Sequence, residues 1–118
     1  MKFVREKDFS DHVVDALADL GFDVEPEKNV GNGSRRRCDA VATKSDMVYA
    51  LEMKATNRTS RSDQCLGQVL VCANVFSAIP VCVFPSDCMP DPLFTKVCGD
   101  MGVIVVNEKT IGDIEKRT

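Results

Sequence analysis

The chain has 118 residues, of which 44% are hydrophobic and 28% are charged, and its formal net charge is −3. This length is enough for one compact core but not for two, so we predict a single domain over residues 1–118. The longest apolar stretches, 69–75 and 103–106, are far shorter than the roughly 20 residues of a membrane-spanning helix, which argues against a membrane protein.

The N-terminal residues and the cysteines indicate a cytosolic protein. The start, Met-Lys-Phe-Val-Arg-Glu-Lys-Asp, has neither the apolar core nor the cleavage site of a signal peptide. The six cysteines form no Cys-x-x-Cys pair, and with His12 as the single histidine the chain lacks the ligand clusters of zinc sites. We therefore expect a cytoplasmic protein with free, structural thiols and no disulfide framework.

The charge is distributed unevenly along the chain. Residues 28–61 contain eight basic and three acidic residues, a net charge of +5, which leaves −8 for the remainder. Local fields steer ligands more than the total charge does, so this segment favours an anionic partner. A solvated arginine-rich loop is the alternative interpretation.

The N-terminal third predicts a helix, a short strand and a loop. Apolar residues at helical spacing, from Phe9 to Leu20, indicate an amphipathic helix from about residue 4 to 20, ended by Gly21. Glu6 is the one acid in line with the apolar stripe, either for a functional reason or because it favours the positive end of the helix dipole. Residues 22–25 then predict a strand ended by Pro26, and 27–34 a mobile loop.

Two strand-like runs, 38–43 and 48–55, flank the turn-forming residues 44–46 and predict a β-hairpin. An even loop such as Ser45-Asp46 places Asp39 directly opposite Glu52, whereas an odd loop places them on opposite faces unless a bulge restores the phase. The hairpin register therefore decides whether the two acids meet.

The C-terminal half predicts alternating helices and strands. Ser62 or Asp63 can cap a helix to about Phe76, and Asp91-Pro92 can begin another to about Met101. Strands are predicted at 80–84 and 103–106, with a short helix from Thr110. The whole order, one helix, three strands and then α, β, α, β, is typical of an α/β fold in which helices flank a mixed β-sheet.

Asp39, Glu52 and Lys54 are charged residues inside otherwise apolar strand-like runs. A carboxylate there costs several kcal/mol to desolvate unless something compensates it, so two carboxylates beside a lysine indicate a divalent cation and an anionic substrate such as a phosphodiester. Hard cations such as Mg²⁺ prefer carboxylate, carbonyl and water oxygens. Asp39, Glu52 and the carbonyl of Met53 are the predicted ligands.

Three further residues complete the predicted catalytic set. Lys54 can orient or deprotonate the attacking water, or hold the phosphate as a point charge. Glu6 can hold the same ion or a second one, directly or through water. Gln68, or Gln64, can hydrogen-bond the water or a neighbouring phosphate.

The arrangement of Asp39, a thirteen-residue step and then Glu52-Met-Lys54 resembles the PD-(D/E)xK, or restriction-endonuclease-like, nucleases. It is similar in particular to archaeal Holliday-junction resolvases, whose first helix also ends in Gly-Phe, as at Gly21. The later helix and strands look more like other members of the superfamily, including the mismatch endonuclease type. Cys38 stands where the motif has proline, and the resolvases' helical glutamate would align near Ser10, one turn after Glu6.

The resemblance implies a restriction-endonuclease-like core and a Mg²⁺-dependent endonuclease, with Mn²⁺ able to substitute. Branched or duplex DNA is the predicted substrate, and a homodimer is predicted because two cuts need two sites. The residues predicted to hold DNA phosphates are Arg35, Arg36, Arg37, Arg58, Arg61 and Gln64. The alternatives are a nucleic-acid-binding module that kept the fold without turnover, and a structural α/β subunit in which Glu52 pairs with Lys54.

Overall fold

The sheet is built around the predicted hairpin. The structure is a computed structural model that describes residues 5–31 and 33–118. Its strands lie in the order β1-β2-β3-β4-β5. β1, β2 and β3 are antiparallel neighbours, whereas β4 and β5 continue the sheet in parallel with β3. The elements are α1 (Glu6–Asp19), β1 (Asp23–Asn29), β2 (Arg37–Lys44), β3 (Met47–Met53), α2 (Thr59–Phe76), β4 (Ile79–Phe84), α3 (Pro92–Asp100) and β5 (Ile104–Asn107), followed by a 3-10 turn at Ile111–Ile114.

Helices cover both faces of this sheet, which confirms the predicted α/β class. On one face, the Phe9, Val13 and Leu17 stripe of α1 packs with inward-facing residues of the strands, such as Leu51 and Val83. On the other face, α2 and α3 pack against β4 and β5. The central strands are therefore buried on both sides, as their apolar sequences require.

β1 is longer than the sequence predicted. Pro26 does not end the strand but pairs with Ala40 of β2, and β1 continues to Asn29. β1 lies at the edge of the sheet, where proline is tolerated because its missing N–H need not serve a second neighbour. The first residues of the predicted loop 27–34 are thus strand, and the register places Glu27 across from Asp39.

The hairpin turn has the even length that brings the two acids together. Ser45 and Asp46 connect β2 to β3, and both have positive φ, 52° and 66°, as in a type I′ turn. Ala40 pairs with Leu51. One step further in the same register, Asp39 lies opposite Glu52.

The remaining boundaries lie within two residues of the predicted ones, except at the start of α2. α1 begins at Glu6, and residue 4, the predicted start, lies outside the described residues. α2 begins at Thr59 with Arg58 as its N-cap residue, so the prediction of a cap at Ser62 or Asp63 is wrong. α3 begins as predicted, since the Asp91 carboxylate accepts a hydrogen bond from the Phe94 N–H at 2.9 Å.

Two of the six predicted free thiols are joined. Cys38 in β2 and Cys72 in α2 form a disulfide, whereas Cys65, Cys82, Cys88 and Cys98 are free. The sequence does not indicate this pair, because the two cysteines are 34 residues apart and come together only when α2 packs across β2. Within residues 5–31 and 33–118, no helix has both the length and the hydropathy needed to cross a membrane.

Candidate functional site

Asp39 and Glu52 are held together by reciprocal hydrogen bonds across the hairpin. The Asp39 N–H donates to Glu52 Oε1 at 3.4 Å, and the Met53 N–H donates to Asp39 Oδ2 at 2.8 Å. Each carboxyl group thus accepts from the backbone of the opposite strand. The two acidic side chains converge where β2 begins and β3 ends.

The electrostatics of this carboxyl pair are unfavourable without a cation. The side chain of Glu52 is buried, with 2% of the residue exposed. Burial, followed by the charge of Asp39, raises the pKa of Glu52 to about 9, and the nearby Lys54 ammonium lowers it only in part. At neutral pH the pair therefore keeps a proton that a divalent cation would displace.

Lys54 is a buried ammonium beside the pair. It is 5% exposed, and its Nζ donates to Gln64 Oε1 at 3.4 Å and lies 3.6 Å from Glu6 Oε1. Arg61 pairs with the other oxygen of Glu6 and donates to Gln64 at 2.9 Å. Glu6 and Gln64 thus orient both cations.

Asp39, Lys54, Glu6 and Arg61, but not the buried Glu52, line a cleft of about 710 Å³ between α1, β1 and the end of the hairpin. We call it the α1 cleft, and its chemically relevant lining is Glu6, Glu27, Asp39, Met53, Lys54 and Arg61. Sequence reasoning missed Glu27, which the register of β1 would have revealed had the strand been extended past Pro26.

A second cavity, of about 210 Å³, is bordered by Arg36, Arg37, Gln68, Val71 and Cys72, and we call it the arginine pocket. Gln68, predicted to hydrogen-bond the attacking water or a neighbouring phosphate, lines this cavity and not the α1 cleft, and its Oε1 is buried without a hydrogen-bond partner. Cys72 Sγ lies 3.7 Å from Glu52 Oε1. Cys72 therefore lines the arginine pocket and also contacts Glu52 of the carboxyl pair.

The arginines predicted to bind DNA are distributed around these two cavities. Arg61 borders the α1 cleft, whereas Arg36 and Arg37 border the arginine pocket. Arg58 is exposed at the start of α2, and Arg35 is exposed just before β2. The structure thus places cations on both sides of the strand that carries Asp39.

The oxygen atoms of Asp39 and Glu52 are ligands of the kind that a hard divalent cation prefers, but these two side chains do not supply a full coordination shell. Within the part of the chain that the structure describes, no three His, Cys, Asp or Glu side chains come together as a metal-binding group. The carboxyl groups of Asp39 and Glu52 meet, and Glu6 contacts Lys54 and Arg61 instead. The Met53 carbonyl and water would have to supply the other ligands, as is usual for Mg²⁺.

Comparison with known proteins gives a match in fold. No family model and no curated protein matches the sequence. The structure is similar to the protein of unknown function AF1548, with a TM-score of 0.67 and 15% identity over 84% of this chain and 57% of that one. It is also similar to a repair endonuclease from Pyrococcus abyssi, with a TM-score of 0.60 and 15% identity over 89% of this chain and 47% of that one.

The chain spans about half the length of each of these two proteins. At 15% identity the likeness establishes the fold alone. The protein therefore has an α/β fold, a mixed five-stranded sheet with three helices, that matches part of a repair endonuclease.

Proposed function

We propose that the protein is a metal-dependent endonuclease that hydrolyses DNA phosphodiester bonds in the α1 cleft. The observation that carries this proposal is the pairing of the half-buried Asp39 carboxyl with the buried Glu52 carboxyl, beside the buried ammonium of Lys54. Such an arrangement destabilises the fold unless a cation binds, and perturbed carboxyl groups of this kind are typical of functional sites. The fold shared with a repair endonuclease supports the same assignment.

Asp39, Glu52 and the Met53 carbonyl would hold Mg²⁺, for which Mn²⁺ would substitute. A bound cation of this kind polarises a phosphoryl oxygen and lowers the pKa of its water. Lys54 would orient that water or hold a phosphoryl oxygen, because its Nζ is fixed between Glu6 and Gln64. Glu6 would reach the same ion through water while its contacts with Lys54 and Arg61 hold those two cations in place.

The arginines would bind the DNA backbone rather than read its bases. Arg58 and Arg61 lie at the start of α2, and Arg35, Arg36 and Arg37 lead into β2, so they flank the carboxyl pair on two sides. Phosphate contacts of this kind position a duplex or a branched junction without specifying sequence. Gln68 would contact a neighbouring phosphate only from the arginine pocket.

We further propose that the protein forms a homodimer, whose second subunit makes the second cut.

A cleavage screen tests the proposal. Branched, duplex and single-stranded DNA would be incubated with the protein and Mg²⁺, Mn²⁺ or EDTA. We expect cleavage with either metal, none with EDTA, and loss of cleavage in Asp39→Asn. Asp63→Asn is the matched control, because Asp63 is an exposed residue of α2 outside the α1 cleft.

A nucleic-acid-binding module without turnover is the second candidate. The observation that favours it is that Glu6 pairs with Lys54 and Arg61 and does not join Asp39 and Glu52, so the predicted third carboxylate ligand is engaged elsewhere. Binding of DNA that is unaffected by Asp39→Asn, with no cleavage of any substrate in either metal, would establish this function and refute the first.

A further inference from the structure

The proposed chemistry does not use the disulfide behind the carboxyl pair. Cys38 immediately precedes Asp39 in β2, and its partner Cys72 lies in α2. Cys72 Sγ is 3.7 Å from Glu52 Oε1. One end of the disulfide is therefore adjacent in the chain to one acid, and the other end contacts the second acid.

The disulfide is buried but can be approached from the arginine pocket. Cys38 is 0% and Cys72 is 3% exposed, yet Cys72 forms part of the lining of this cavity. Arg36 and Arg37 line the same cavity, and the Oε1 of Gln68 lies there without a hydrogen-bond partner. The two cationic side chains at this cavity match a small molecule with carboxylates.

We propose that the arginine pocket admits a small anionic thiol of the glutathione class, and that exchange at Cys72 switches the metal affinity of the Asp39–Glu52 pair. The proposed thiol exchange is inferred from the position of the Cys38–Cys72 disulfide and from the cavity beside it. Its effect on metal binding rests on the proposed function.

The exchange takes place in two steps, in each of which atoms and electrons balance. An incoming thiolate attacks Cys72 Sγ, which forms a mixed disulfide, breaks the Cys38–Cys72 bond and releases the Cys38 thiolate, which takes a proton from solvent. A second thiolate attacks the small-molecule sulfur of the mixed disulfide and releases Cys72 as a thiolate, which is protonated in turn. The two small thiols supply two electrons and leave as a disulfide. The small disulfide drives the reverse reaction and oxidises the protein.

Reduction is expected to weaken metal binding for two reasons. The disulfide joins β2 to α2 beside both acids, so its loss frees β2 next to Asp39. The released Cys72 thiol can donate a weak hydrogen bond to Glu52, which competes with a cation for that oxygen. Groups that hold a metal ligand in place typically change the affinity by about 10–100-fold.

The first test is a Mn²⁺ titration by calorimetry of the whole chain, equilibrated with either oxidised or reduced glutathione. We expect about tenfold weaker binding in the reduced protein. Cys38→Ala/Cys72→Ala lacks both the disulfide and the Cys72 thiol, so its affinity should lie between those of the oxidised and reduced protein and should not respond to glutathione, whereas Cys88→Ser, at a half-buried free cysteine, should respond like the wild type. Equal affinities in the two redox states would overturn the inference and leave the proposed function intact.

The second test measures the rate of disulfide reduction by alkylation and mass spectrometry. Glutathione should react faster than the cationic thiol cysteamine, and Arg36→Gln/Arg37→Gln should remove this preference. A disulfide that glutathione neither forms nor reduces, or equal rates with the two thiols, would overturn the inference. If neither redox state binds Mn²⁺ while the exchange keeps its preference, the proposed function fails together with the metal effect, and the exchange site stands.

Discussion

At the scale of single residues, Glu52 is the group in which function opposes stability. It is almost completely buried, it faces another carboxyl group, and its pKa rises from 4.5 to about 9. A residue selected for stability alone would be apolar at this position, as its strand neighbours Leu51 and Met53 are. The carboxyl pair is therefore the feature of this fold that most needs a functional explanation.

Replacing Glu52 by glutamine is expected to stabilise the protein and abolish cleavage. Because folding raises this pKa, the folded protein binds the proton more tightly than the unfolded chain, so stability falls as the pH rises from about 4.5 to about 9. Glutamine at position 52 does not ionise, so this loss of stability at higher pH does not occur. Urea unfolding in EDTA at pH 8 should show a gain on the order of 2 kcal/mol, with a flatter pH profile.

The matched control for this substitution is Glu115→Gln. Glu115 is exposed and pairs only at the surface with Lys44. The control should change stability by less than about 0.5 kcal/mol. A Glu52→Gln protein that is less stable than the wild type at pH 8 would show that the buried carboxyl is satisfied in the folded state, contrary to the account.

Lys54 is expected to contribute to turnover rather than to metal binding. Its ammonium lies between Glu6 and Gln64 and is not a ligand. In Lys54→Ala the cleavage rate should fall by about 10²–10⁴-fold, while Mn²⁺ binds as tightly as before or more tightly because a neighbouring positive charge is gone. Parallel rate and calorimetric measurements separate the two effects, and a loss of metal affinity would contradict this role.

At the scale of the elements, the two-residue turn sets the position of the acids. Ser45 and Asp46 both have positive φ, which favours Asn-Gly at these positions. Ser45→Asn/Asp46→Gly should raise the free energy of unfolding by about 1 kcal/mol and leave Mn²⁺ affinity unchanged.

Insertion of one glycine between these two residues is the complementary change. It makes the loop odd, which shifts the register by one residue and separates Asp39 from Glu52. The insertion should abolish Mn²⁺ binding and cleavage even in protein that remains folded by circular dichroism. Retention of both would show that the register does not build the site.

Local patterns in the sequence were enough to predict most of the elements. The period of Phe9, Val13 and Leu17 predicted α1, and Asp91-Pro92 predicted the start of α3. The hairpin also predicted the meeting of Asp39 and Glu52 once an even loop was assumed. These features depend on residues close together in the chain or on one turn.

Features that depend on tertiary packing were not predictable in the same way. Pro26 stays in a strand only because β1 is at the sheet edge, and that position is a property of the whole sheet. Cys38 and Cys72 meet only when α2 packs across β2. Gln64 rather than Gln68 reaches Lys54, and no local signal fixes which turn of α2 lies beside the end of β3.

At the scale of the whole molecule, an acidic protein has a net charge of +5 in residues 28–61, the segment that carries Asp39, Glu52 and Lys54. If its arginines bind phosphates, the affinity for a duplex oligonucleotide in EDTA should fall about 10²-fold between about 50 and 200 mM salt, and Arg58→Gln should reduce the salt slope by about one. Lys96→Gln on α3, outside this segment, is the control and should leave the slope unchanged. Fluorescence anisotropy measures both, and binding that barely responds to salt would refute a phosphate-binding role.

The central claim is that Asp39 and Glu52 share one divalent cation, and a calorimetric Mn²⁺ titration near pH 7, repeated in buffers of different ionisation enthalpy, tests it most directly. Because the pKa of Glu52 is about 9, binding should release about one proton, and the affinity should rise about tenfold per pH unit below that value. Asp39→Asn should abolish binding, and Asp63→Asn should retain it. Equal Mn²⁺ affinity in the wild type and Asp39→Asn, or binding without proton release, would contradict the account.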